Sequence, residues 1–224
     1  MILVEEQAGF ETKYTNGMRR NAGKPFGFVS SPTALHQIRN PDTSLVVWQR
    51  SLAAELQADL SSLVLNEIDD LIFVSELTEL EATLADGLNG AGYPDTPALR
   101  ADIAMLARHH AAITGDREVK IRLEIIETDA CRKFHTDYVK VRTIITYLGQ
   151  GTQWIEADAS EQAGLRGKPE VRQVAAGAVA VFKGRLWQND PTVLHRSPPI
   201  GELNEKRLVL VIDPVSAEED MLKG

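Results

Sequence analysis

Apolar positions along this chain change their period near residue 116. Before it they recur three and four residues apart. Leu52, Leu56, Leu60 and Leu63, widened by Ala53 and Val64, predict a helix within 44–68. Leu77, Leu80 and Leu84 predict a second over 76–88, ended by Gly87, Gly90 and Gly92. A third starts at Thr96, an N-cap residue type, with Pro97 in its first turn. It presents Leu99, Ile103, Leu106, His110 and Ile113 on one face before Gly115 stops it. Beyond 116 the period becomes two: Val119, Ile121, Leu123 and Ile125 alternate with Lys120, Arg122 and Glu124. Further strands are expected at 138–148, 152–157, 171–174, 178–183, 192–197 and 206–213, with Gly-, Pro- and Asn-rich turns between them. Short strands in series without intervening helices predict a β-sandwich or jelly-roll barrel. The class is therefore α+β: a mainly helical part, 1–116, packs on a β part, 117–214, and a tail follows over 215–224. The short junction predicts one co-folded unit. Within the first part, 21–32 has the Gly, Pro and Ser density of irregular or extended backbone, and Leu71 to Val74 suits either a strand or a helix edge.

Charge sharpens the division. The 224 residues carry a formal net charge of −8. Residues 1–116 hold 8 Lys and Arg against 16 Asp and Glu, whereas 117–224 hold 16 of each. A negative chain without a basic face argues against nucleic-acid binding. Around the β part stand Arg132, Lys133, Lys140, Arg142, Lys183, Arg185, Arg196 and Arg207, a setting that tolerates small anions, although most of these suit solvated strand edges. No apolar run reaches the roughly 20 residues of a membrane span, and MILVEEQAGF lacks the basic start of a secretory signal. The single Cys131 leaves no intramolecular disulfide and fits a reducing, cytoplasmic setting.

Candidate chemistry concentrates in CRKFHTDYVKVRTIITYLGQGTQW, residues 131–154. On a strand, residues two apart share a face, so His135 and Asp137 are expected to project together, with Val139, Val141, Thr143, Ile145 and Tyr147 continuing that face. One imidazole and one carboxylate are two members of a facial metal triad. His195, in TVLHRS, is placed to be the third, and Arg207 opens the following strand, RLVLVID. Cys131 lies four residues before His135, near enough for its thiolate to join a metal if the strand bends there. His109 and His110, about 100° apart on a helix, are expected to pack or face solvent, not to chelate one ion.

The ordered set FHTDYVKVRTIITYL, GAVAVF, VLHRSPP and RLVLVID, over roughly 119–213, resembles the iron(II)- and 2-oxoglutarate-dependent dioxygenase superfamily, most nearly its prolyl-hydroxylase-like branch. The whole chain also resembles a bacterial family of unknown function with a Cys-x-x-x-His-x-Asp opening and a His-Arg-Ser-Pro closing. The first resemblance implies a double-stranded β-helix, cupin-like in form. In it His135, Asp137 and His195 hold Fe(II), and Arg207 binds the distal carboxylate of 2-oxoglutarate, with Tyr147 and Thr143 adding hydrogen bonds. The implied activity is hydroxylase-type oxygenation of a small molecule or protein side chain. The alternative is a cupin-like zinc protein without redox turnover, with Cys131 as an added ligand.

Overall fold

The computed structural model describes residues 24–129, 131–156, 169–203 and 205–215. The chain start, residue 157 of one expected strand and nearly all of the expected tail lie outside the described residues. Among the described residues there are ten strands: β1 Phe26–Val29, β2 Leu45–Trp48, β3 Leu71–Glu76, β4 Glu118–Ile126, β5 Val141–Leu148, β6 Gln153–Glu156, β7 Arg172–Gln173, β8 Val179–Lys183, β9 Val193–Arg196 and β10 Arg207–Pro214. The α-helices are α1 Ala54–Ser62, α2 Leu80–Gly90 and α3 Pro97–Thr114. A mixed seven-stranded sheet runs β1-β2-β8-β5-β10-β4-β3, and a three-stranded sheet runs β7-β6-β9. No described helix is long and apolar enough to cross a membrane.

The large sheet is covered on both faces. Val46, Val119, Ile121, Leu123, Val141, Ile145, Val181, Leu208, Leu210 and Ile212 join one core with Leu84, Leu99, Ile103 and Leu106 of the helices. Their alternate neighbours Leu45, Val47, Ile144, Ala180, Phe182, Val209 and Val211 form a second core with Trp154 of β6 and Val193 of β9. Helices thus lie on one face and the small sheet on the other.

The first half is less helical than its periodicity predicts. It contributes β1, β2 and β3 to the large sheet, and α1 begins at Ala54 instead of near Ser44. Leu45, Val46 and Val47 are all buried, two facing one core and one the other, so they read as a continuous apolar run without alternation. Leu71 to Val74 resolves to an edge strand on β4.

The helix ends show how the layers lock. Gly115 takes φ 84, the left-handed conformation that ends α3. Thr96 makes no side-chain cap. Asp59 of α1 accepts instead from the Ala98 and Leu99 amides, at 2.7 and 2.9 Å through Oδ2. His110 is fully buried on α3, with Nδ1 2.9 Å from the Thr143 hydroxyl of β5. Burial pushes its pKa down from 6.5 to about 4.

Two stability predictions follow from these contacts. Asp59→Ala leaves two helix N–H groups without this acceptor and is expected to cost about 1–2 kcal/mol in denaturant unfolding. His110 is neutral when folded, whereas the unfolded chain takes up its proton as pH falls below 6.5. Stability is therefore lost between pH 6.5 and 4, amounting to about 3 kcal/mol. His110→Asn, which cannot titrate, is expected to lose less stability than the natural chain between pH 7 and pH 4; parallel loss would contradict this account.

Candidate metal centre

His135 and Asp137 do not stand on a regular strand. His135 makes one antiparallel bridge to His195 of β9, with amides and carbonyls exchanged at 3.0 and 2.9 Å. From there the chain bends along β8 and the turn after it. The Asp137, Val139 and Lys140 carbonyls accept from the amides of Arg185, Leu186 and Gly184. Gly184 permits this close approach, because a Cβ there would stand 2.0 Å from the Val139 oxygen.

One ligand-type atom from each of His135, Asp137 and His195 lies within 4.8 Å of the others. The His135 and His195 ring centroids are 4.7 Å apart, and the Phe182 ring backs His195 at 4.4 Å. His135 Nδ1 stands 2.9 Å from the Lys133 carbonyl, a contact that makes Nδ1 the N–H donor and leaves the Nε2 lone pair facing inward. The Asp137 oxygens differ sharply. Oδ1 accepts from Arg142 Nη1 at 2.5 Å. Oδ2 is buried, 3.0 Å from His195 Nε2 but without hydrogen-bond alignment, and has no hydrogen-bond partner.

Electrostatics favour a cation between these atoms. Burial opposes ionisation of Asp137, yet the His135 and His195 imidazoles and the Arg142 charge outweigh it and hold the carboxyl far below its usual range. Burial lowers the His195 pKa, against the pull of Asp137, towards the neutral imidazole that a metal requires. Asp137 raises that of His135. Two inward imidazole nitrogens and an orphaned carboxylate oxygen fit a divalent metal.

A cavity of about 120 Å³ adjoins the triad, and His135, His195, Arg142, Ser197 and Arg207 are among its lining residues. The Arg207 side chain is 1% exposed. Its Nε donates to the Gln150 carbonyl at 2.5 Å, Nη1 to Ser197 Oγ at 3.0 Å and Nη2 to Thr146 Oγ1 at 3.1 Å. These acceptors are all neutral. Burial lowers its pKa to about 10, so it remains a cation at neutral pH. Gly149, at φ 82, turns the chain tightly against β10 and brings the Gln150 carbonyl onto Arg207.

Two residues expected at the site point away from it. The Thr143 hydroxyl meets His110, and the Tyr147 hydroxyl donates to Asp102 at 2.7 Å, both on the helical side of the sheet. The alternation slips because 136–140 is bent, so the face shared by His135 and Asp137 does not carry through to odd-numbered residues of β5. Arg142, Ile144 and Thr146 take the site side instead. Cys131 is exposed at φ 57 and lines the same cavity, but its thiol is not in the ligand group. Trp154 is core, and Trp187 is 38% exposed. Asp213, Thr146 and Ser197 are not marked as site groups by the sequence pattern, and Arg142 stands in it only as one of eight basic residues. Period two counted from β5 itself would have found Thr146; the partners of Arg142 are set only by folding.

The family described as "Protein of unknown function (DUF1826)" matches residues 29–213, and the chain belongs to it. No curated protein matches the sequence. Among solved structures the chain is similar to a Pseudomonas putida prolyl-4-hydroxylase, at 16% identity over 82% of this chain and 97% of that one, with TM-score 0.47. It is also similar to the rice dioxygenase for auxin oxidation, at 14% identity over 81% and 76%, with TM-score 0.43. The 2-oxoglutarate binary complex of Arabidopsis thaliana dioxygenase for auxin oxidation 1 matches at 10% identity over 86% and 94%, with TM-score 0.45.

Gly184→Ala tests whether the backbone approach holds the site segment. It is expected to lower Tm by roughly 3–10 °C, as overpacking of about 1–3 kcal/mol implies. Gly90→Ala, whose Cβ would meet nothing within 4 Å, is the control and leaves Tm unchanged or higher.

Proposed function

We propose that this protein is an iron(II)- and 2-oxoglutarate-dependent oxygenase built on a double-stranded β-helix, acting on a small molecule or a protein side chain. One observation carries the reading: the unpartnered Asp137 oxygen and two imidazole nitrogens adjoin a small cavity that also contains a buried guanidinium paired only with neutral acceptors. The first feature favours a divalent cation. The second favours an anion, since a buried charge without a counter-charge is destabilising. A molecule that chelates a metal at one end and carries a carboxylate at the other satisfies both, and 2-oxoglutarate is such a molecule.

His135 and His195 through Nε2, and Asp137 through Oδ2, would hold the metal on one face and leave its other positions to small ligands. When bound, the metal and its cosubstrate supply activation of O2 coupled to oxidative decarboxylation. Arg207 would bind and orient the distal carboxylate through a planar fork, with Thr146, Ser197 and the Gln150 carbonyl fixing the plane. Phe182 behind His195 and Val209 in the cavity lining give the site an apolar side, which strengthens charge pairing there. The zinc alternative gains no added ligand here, because the Cys131 thiol lies outside the group.

Anaerobic titration separates these roles. Fe(II) is expected to bind at one per chain and to be lost in Asp137→Ala. Arg207→Gln is expected to keep the metal but bind 2-oxoglutarate about 100-fold more weakly, as loss of a charged hydrogen-bonded pair of about 3 kcal/mol implies. Cys131→Ala is expected to leave metal affinity unchanged. If the iron form neither binds nor consumes 2-oxoglutarate, the oxygenase reading is lost.

A further inference from the structure

Resting on the metal reading above, we infer that Arg142 is a positioning residue that commits Asp137 to bind the metal through one oxygen. Arg142 has three anchored nitrogens. Nε and Nη2 donate to Asp213 Oδ1 and Oδ2 at 2.7 and 2.8 Å, and Nη1 donates to Asp137 Oδ1 at 2.5 Å. Asp213 lies on β10 and is 6% exposed. It also stands 3.5 Å from Arg122, which in turn donates to Glu124 at 3.1 Å. A line of alternating charge therefore runs from Glu124 through Arg122, Asp213 and Arg142 to Asp137. It ends on the carboxylate oxygen that is not the orphan.

The consequence is geometric. A free carboxylate can rotate about χ2 and chelate a metal through both oxygens. Here Oδ1 is held by a guanidinium fixed from behind, so only Oδ2 remains for the metal. One-oxygen ligation leaves three of six positions on an octahedral ion for other ligands; two-oxygen ligation would leave two. A chelating cosubstrate needs two, so a further ligand could bind beside it only in the first case. Because residues 136–140 are not held in a strand, the backbone does not supply this orientation.

The test uses full-length protein loaded anaerobically with Co(II), whose visible spectrum reports coordination number, and 2-oxoglutarate as the probe. Arg142→Gln and Asp213→Asn are compared with the natural chain, and Arg142→Lys serves as the conservative variant. Arg142→Gln is expected to retain one Co(II) per chain, to show a changed spectrum, and to bind 2-oxoglutarate at least tenfold more weakly. Asp213→Asn is expected to move the same way by less, and Arg142→Lys, which keeps one charged donor, to restore most of the natural spectrum. A role confined to holding the fold predicts instead a lower Tm and lost metal in Arg142→Gln, with no recovery in spectrum when Tm is recovered by Arg142→Lys. That outcome, or an unchanged spectrum and affinity with Co(II) bound, overturns the inference alone. Absence of Co(II) from the natural chain overturns the metal reading and this inference with it.

Discussion

All eight residues of β10 are buried, and this two-sided burial is the constraint on which the molecule depends. A strand covered on both faces needs a layer on each side. The helices supply one through Leu84, Leu99, Ile103 and Leu106, and the β7-β6-β9 sheet supplies the other through Trp154 and Val193. Towards the small sheet β10 presents Arg207, Val209, Val211 and Asp213 in alternation. The apolar pair is core, and the charged residues at either end contribute to the candidate site. The centre is thus a seam in the packing between two sheets, where the apolar filling stops.

Two guanidiniums, Arg142 half-buried and Arg207 fully buried, divide the work of that seam. Arg142 meets two carboxylates, and each of its nitrogens has an acidic partner, so its charge is balanced without a ligand. Arg207 meets two hydroxyls and a carbonyl, which satisfy donors but leave the charge unbalanced. Only the second has an electrostatic reason to take an anion from solution. A count of basic residues around the site treats the two alike; their partners separate them.

Legibility in the sequence followed the same division between local and distant causes. Most strands of the second half were readable because turn signals bound them and β-branched residues fill them, as in β4, β5, β8 and β10. The helix over 97–114 was readable from Pro97, Gly115 and the stripe between them. That His135, Asp137 and His195 come together was readable because the first two are close in sequence and His195 sits in an evident strand. Of the N-terminal strands, β3 read equally as a strand or a helix edge, and β2 was hidden: Leu45–Val47, buried on both faces, shows no period. The side of the sheet taken by Thr143 and Tyr147 is hidden too, because the bend at 136–140 breaks the alternation that starts at His135 and Asp137. The Arg142–Asp213 pair spans 71 residues, and nothing local to either residue announces it.

The same geometry explains how an irregular segment can hold a defined site. The separation of the two histidines is set by backbone, since the exchanged hydrogen bonds between His135 and His195 fix their Cα atoms about 5.5 Å apart. The ring positions then follow from Phe182 behind one and the Lys133 carbonyl beside the other. Asp137 has no such ladder. Its backbone is tied to the turn after β8 by one amide, from Arg185, and its carboxylate takes its direction from Arg142. Position is therefore supplied by the fold and orientation by charge, so a change in Arg142 should disturb ligand geometry before it disturbs folding.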